Sequence, residues 1–154
     1  MDYTKILLPY NFTSYDKKAL DFVIRTFADK KGAELTVFNA YTPAPPIEMR
    51  GSPVMEQMKD TLSYLSQRVN EQDDELKTVR KQLLEKGFLE DKTHIVFEPK
   101  KKDIAGDIID LAQSGRFNVV VLNRRPAKIA RFFTGSVSSK VVAALKDVTI
   151  CIVS

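Results

Sequence analysis

Five short apolar runs recur along this chain, and most are separated by segments whose apolar residues keep helical spacing. Few folds satisfy that pattern. A short run with little alternation suits a strand buried on both faces, and such strands lie parallel and are joined by helical crossovers. The runs are Lys5–Pro9 (KILLP), Glu34–Tyr41 (ELTVFNAY), Lys92–Phe97 (KTHIVF), Asn118–Leu122 (NVVVL) and Val148–Val153 (VTICIV). After the first run, Asn11 to Ser14 supply capping residues, and Ala19, Leu20, Val23, Ile24, Phe27 and Ala28 form one helical face that ends before Gly32. Asp103–Gln113 repeats the pattern with Ile104, Ile108, Ile109 and Leu111, and a last helix runs from Ser136 to about Lys146. The expectation is one α/β domain over residues 1–154: three layers, with a five-stranded, mostly parallel sheet flanked by helices through right-handed crossovers. Ligands of such sheets sit outside the carboxyl ends of the strands. Here those ends are Pro9–Asn11, Asn39–Tyr41, Glu98–Pro99 and Leu122 onward.

The stretch Thr42–Pro53 carries four prolines and a glycine and reads as a loop. Beyond it Met55, Met58, Leu62, Leu65, Val69, Leu76, Val79 and Leu83 keep alternating spacings of three and four, with Gln72 as the one polar interruption. This seam suits either a helix packed on the sheet or a coiled-coil surface. Some thirty helical residues span about 45 Å, whereas five strands at roughly 4.8 Å each make a much narrower sheet. The helix is therefore expected to break near Asn70–Asp74 or to overhang.

With 154 residues the chain can bury a core without metal or disulfides, and Cys151, its one cysteine, has no intrachain partner. No apolar run reaches the roughly 20 residues that span a bilayer. The first strand begins at Lys5, which leaves no room for a signal peptide, so a cytoplasmic protein without a membrane partner is expected. The net charge of +4 concentrates at Lys100–Lys102 and at Arg124, Arg125, Lys128 and Arg131. These segments read as solvated loops, with attraction of a phosphate-bearing ligand as the functional alternative. Interleaved aromatics are missing, which argues against nucleic acid.

Three segments resemble the universal stress protein family. ILLPYNFTSYDKKAL is similar to its first strand and helix, NVVVLNRRPAKIARFFTGSVSSKVV to its fourth strand, phosphate loop and last helix, and DVTICIVS to its fifth strand. The resemblance implies the fold shared with the adenine-nucleotide alpha hydrolases, and a homodimer through the last strand at Val148, Ile150 and Ile152. It also implies a nucleotide site at Pro9, Tyr10, Asn11, Ala40, Leu122, Asn123, Arg124, Arg125, Gly135, Ser136, Val137 and Ser138.

Nucleotide-binding members carry G-x2-G-x9-G-[ST], whose glycines let backbone amides approach the phosphates. Gly135–Ser136 matches the final pair. Counting back places the early glycines at Leu122 and Arg125; aligning on the strand makes Asn123 the first glycine position. Neither early glycine is present, Pro126 removes a donor, and the family's aspartate after the first strand is Asn11. Two readings follow: arginines that cover a vacated phosphate site, or a charge-based site for ATP, AMP or another phosphorylated ligand.

No catalytic constellation is evident and no metal is expected. His94 stands alone and reads as structural, Cys151 as a small core residue, and Asp73 and Asp74 as a solvated face. Ser136, Ser138 and Ser139 suit a helix cap without a base to activate them. The leading expectation is a non-catalytic, homodimeric stress-response module that binds an unidentified protein partner and needs no cofactor. A nucleotide sensor for ATP or AMP is the alternative, with slow ATP hydrolysis or autophosphorylation at Gly135–Ser139 behind it.

Overall fold

The structure, a computed structural model, describes residues 3–43, 53–124 and 136–154, with the side chains of 53–58 outside the description. The strands are β1 (Thr4–Pro9), β2 (Ala33–Tyr41), β3 (Thr93–Pro99), β4 (Val119–Asn123) and β5 (Thr149–Val153). The helices are α1 (Ser14–Phe27), α2 (Pro53–Glu85), α3 (Ile104–Ser114) and α4 (Val137–Ala144), and a short 3-10 turn, Glu90–Lys92, leads into β3. The sheet order is β3-β2-β1-β4-β5 and all four pairings are parallel. This is the expected five-stranded α/β domain.

Successive side chains of a strand point to opposite faces, and the two cores follow that rule. Ile6, Leu8, Leu35, Val37, Val119 and Val121 face α1 and α2, where Ala19, Leu20, Val23, Leu76, Val79 and Leu83 meet them. Leu7, Phe38, Val120 and Leu122 face α3 and α4, packing on Ala105, Ile108, Ala112, Val141 and Leu145. The runs of β1, β2 and β4 lack alternation because both faces are buried.

The long helix is unbroken over 33 residues, about 50 Å. The expected interruption at Asn70–Asp74 does not occur; the expected overhang does. Leu76, Val79 and Leu83 are buried, whereas Leu62, Leu65 and Val69 are half-buried and belong to neither core. Polar side chains support the helix from outside: Gln67 Nε2 donates to Glu71 Oε1 at 3.2 Å, and Lys77 pairs with Asp73 at 3.1 Å. The amino half of α2 thus projects past the strand ends.

Gly87 ends this helix. It holds φ +116°, and the Phe88 amide reaches back to Leu83 O at 3.1 Å, which buries the Phe88 ring. A Cβ at Gly87 would lie 3.2 Å from Ala28 O. Gly87→Ala is therefore expected to cost about 1–2 kcal/mol through left-handed strain alone, lowering the thermal midpoint by about 2–8 °C. An unchanged melting curve followed by circular dichroism would show that this stop is not strained.

Candidate functional site

The chain order reverses at β1, whose neighbours are β2 on one side and β4 on the other. The crevice outside the carboxyl ends of β1 and β4 is therefore the topological switch point of the sheet. Its wall is the turn from β1 into α1. Pro9 and Tyr10 are buried, and Phe12 adopts φ +63°, a left-handed conformation that is rare for a bulky residue. The turn delivers Thr13 as the N-cap of α1 and closes a capping box with Asp16.

Asp16 is 1% exposed. Its Oδ2 accepts from the Thr13 amide at 3.1 Å and from the Thr13 hydroxyl, and its Oδ1 accepts from Asn123 Nδ2 at 2.6 Å. A buried carboxylate is tolerated only when its lone pairs are met, and here three donors and the amino end of α1 meet them. Asn123, a candidate for the first loop glycine, thus turns its side chain across the crevice onto α1. Sequence reasoning passed over Asp16; the Thr13-x-x-Asp16 spacing was its only signal.

Asn39, which the sequence places at the ligand-facing end of the second strand though not among the candidate site residues, is the second such residue. It is buried at the end of β2, and its Nδ2 donates to Tyr10 O at 2.8 Å and to Asn11 Oδ1 at 3.1 Å. Its Oδ1 has no hydrogen-bond partner among the described residues. The crevice therefore holds a buried acceptor beside Asn11, the position of the family aspartate. Ala40, one residue on, is half-buried and packs against the second core. Burial pushes the Tyr10 phenol up to about 12, with Glu75, Asp16 and Asp21 adding to the shift.

Leu122 is buried in the second core, and Arg124 is exposed with its amide on Val153 O at 2.8 Å. Arg125 and Gly135, with Pro126, Lys128 and Arg131, lie outside the described residues. Ser136 caps α4: its Oγ accepts from the Ser139 amide at 3.1 Å and donates to Ser139 Oγ at 2.6 Å, with Ser138 Oγ at 3.5 Å. Val137 packs on the second core. The structure thus gathers Pro9, Tyr10, Asn11 and Asn123 around one crevice. It places Leu122 and Val137 as packing residues.

The set-aside groups are placed as follows. His94 has a partner after all, Glu34 on the neighbouring strand at 2.8 Å. Burial raises the Cys151 thiol, which disfavours the thiolate. The Lys100–Lys102 run is partly neutralised, since Lys102 pairs with Asp110 at 2.8 Å and the buried Asp107 accepts from the Lys101 and Lys102 amides at 3.1 Å each. Among the described residues no cluster of His, Cys, Asp or Glu could hold a metal, and no helix is long and apolar enough to cross a membrane.

The sheet order, with its crevice at the switch point, defines the class of doubly wound parallel α/β domains. The chain belongs to the universal stress protein family, whose model matches residues 2–151. It is similar in fold to the universal stress protein UspA from Lactobacillus plantarum (18% identity, 100% of this chain and 99% of that one, TM-score 0.64). A universal stress protein solved in complex with cAMP is similar over 100% of this chain and 98% of its own (17% identity, TM-score 0.64). Another, from Archaeoglobus fulgidus in complex with dAMP, is similar over 100% of both chains (17% identity, TM-score 0.56). Among curated proteins no sequence match is found.

The Tyr10 phenol gives a pH test. Its folded value of about 12 lies above the ordinary 10.0, so the folded state holds this proton more tightly than the unfolded one. The stability it contributes is complete below pH 10 and is lost as pH rises through the folded value. The difference between wild type and Tyr10→Phe in alkaline denaturation should follow that course, and a Tyr10 absorbance that titrates at its ordinary value would contradict it.

Proposed function

We propose that this chain is a homodimeric, non-catalytic universal stress protein module that acts through protein contacts, with nucleotide affinity weak or absent. The observation that carries this reading is the bond between Asn123 and Asp16. In a phosphate-binding version of this crevice the first loop position leaves room for backbone amides to meet phosphate. Here a side chain crosses that space and is fastened to a buried carboxylate. An entering phosphate would displace the amide, leave Asp16 short of a donor, and meet a like charge. The helix start at Ser136 offers an exposed anion about 0.3–1 kcal/mol, and its hydroxyl already serves Ser139. No described group stands ready to activate a serine, so hydrolysis and self-phosphorylation receive no support from the site.

One observation favours the second reading, a sensor of an AMP-type ligand. The buried Asn39 Oδ1 has no partner among the described residues and lies beside Asn11, and structural relatives were crystallised with cAMP and dAMP. A ligand N–H at that oxygen would complete its hydrogen bonding.

Calorimetry with ATP and AMP at low and high salt separates the two readings. Under the first, binding by the wild type is undetectable or high-micromolar and fades as salt screens the arginines over about 8 Å. Asn123→Gly should strengthen it. Low-micromolar, salt-insensitive binding by the wild type, or adenine nucleotide released when the purified protein is denatured, would establish the sensor instead. The dimer is tested separately: Ile152, 45% exposed on the edge strand β5, should tolerate no lysine at a paired edge. Light scattering that shows a monomeric wild type at tens of micromolar would refute the β5 pairing.

A further inference from the structure

Between the turn that follows β1 and the middle of α2 lies a groove of about 260 Å³. We propose that it binds a free basic amino acid, a zwitterion that carries a second cation at the end of a short chain. The groove is separate from the crevice at the switch point, because neither Asn11, Asn39 nor Asn123 lines it. Pockets for drug-sized ligands hold roughly 300–1,000 Å³, so this one suits a small metabolite.

The order of charges selects the ligand. Tyr64, Arg68, Glu71 and Glu75 line the groove and follow one another by steps of four, three and four, which sets them on one stripe of the helix. Helical rise separates Arg68 from Glu71 by about 4.5 Å and Glu71 from Glu75 by about 6 Å along the axis. A cation followed by two carboxylates is the complement of an α-carboxylate followed by an α-ammonium and a side-chain cation. In an extended basic amino acid the two nitrogens stand about 6–7 Å apart. The stripe has a single net negative charge, and such a ligand has a single net positive one.

These charges are unspent within the domain. On a plain solvated helix face, opposite charges three or four positions apart stabilise each other, as Asp73 and Lys77 do here at 3.1 Å. Arg68 forms no ion pair with Glu71 or Glu75 among the described residues. Glu71 accepts only from the neutral amide of Gln67, at 3.2 Å. The field of Glu75 also reaches the neighbouring turn, where burial and then this carboxylate push the Tyr10 phenol up to about 12.

The apolar walls suit the rest of the ligand. Phe12 and Tyr64 line the groove from the turn and from the helix, and aromatic rings favour both an aliphatic stem and the cation at its tip. Phe12 is fixed in place by its backbone at φ +63° and by its edge-to-face contact with the Tyr10 ring. That wall is therefore set in advance, which lowers the ordering cost of binding.

The test is calorimetry on the full chain at low salt with four probes: L-lysine, L-arginine, cadaverine and L-norleucine. Cadaverine lacks the carboxylate, and norleucine lacks the side-chain cation. L-lysine or L-arginine should bind saturably with a sub-millimolar Kd, and the other two about tenfold or more weaker, since each loses a charged hydrogen bond. Glu75→Gln should weaken L-lysine by a similar factor without changing norleucine. Arg68→Gln should weaken L-lysine without weakening cadaverine. Both positions are exposed on the helix, and unchanged melting curves will show that the variants stay folded. Absence of saturable binding by the wild type at millimolar L-lysine and L-arginine would overturn the proposal. So would cadaverine that binds as well as lysine, or lysine binding that survives both substitutions.

Discussion

The carboxylate of Asp16 is the fixed point of the crevice. It lies at 1% exposure and takes donors from two sides: Thr13 from its own turn, and Asn123 from the end of β4. The first contact sets the angle at which α1 leaves β1, with Phe12 bent to φ +63° to allow it. The edge-to-face contact of the Phe12 and Tyr10 rings, 5.4 Å between centroids, helps offset that strain. The second contact ties the two strands that flank the switch point. The bond that holds the crevice together also crosses it.

The fold was legible because double burial leaves a mark on sequence. Lys5–Pro9 and Asn118–Leu122 are apolar without alternation, and each proved to be a central strand. The crevice was less legible. Asp16 and Asn123 stand 107 positions apart, and only the order of strands brings them together. Locally Asp16 reads as the closing member of a capping box, with nothing to mark it as buried. Asn39 sits inside an apolar run, where one polar residue carries little signal, and His94 found Glu34 only because β3 lies beside β2. Each of these contacts joins elements far apart in the chain, and spacing along the chain does not encode them.

The long helix shows the opposite failure. Asn70–Asp74 looked like a break because the apolar seam lapses there, yet a helix is held by its own backbone bonds and needs no seam where it meets no core. The lapse marks the point where α2 leaves the sheet. Leu76 is buried on one side of it and Val69 half-buried on the other. A hydrophobic pattern reports burial, and it reports secondary structure only where the two coincide.

The two edges of the sheet are finished differently, and this bears on how such a domain meets others. Unpaired strand edges invite pairing unless charge, proline or another element blunts them. At β3, Arg80 reaches over from α2: its Nε donates to Thr93 O at 3.0 Å and its second amino group to Glu90 O at 3.0 Å. That strand also carries His94, Glu98 and Pro99. Among the described residues no such side chain reaches over β5: Thr149–Val153 contains no charged residue and no proline, and Ile152 stands exposed on it. Arg80 thus gives one hydrogen bond to β3 and one to the turn that leads into it, whereas β5 is a short apolar strand with Ile152 exposed on it, so among the described residues the two edges are finished by different means.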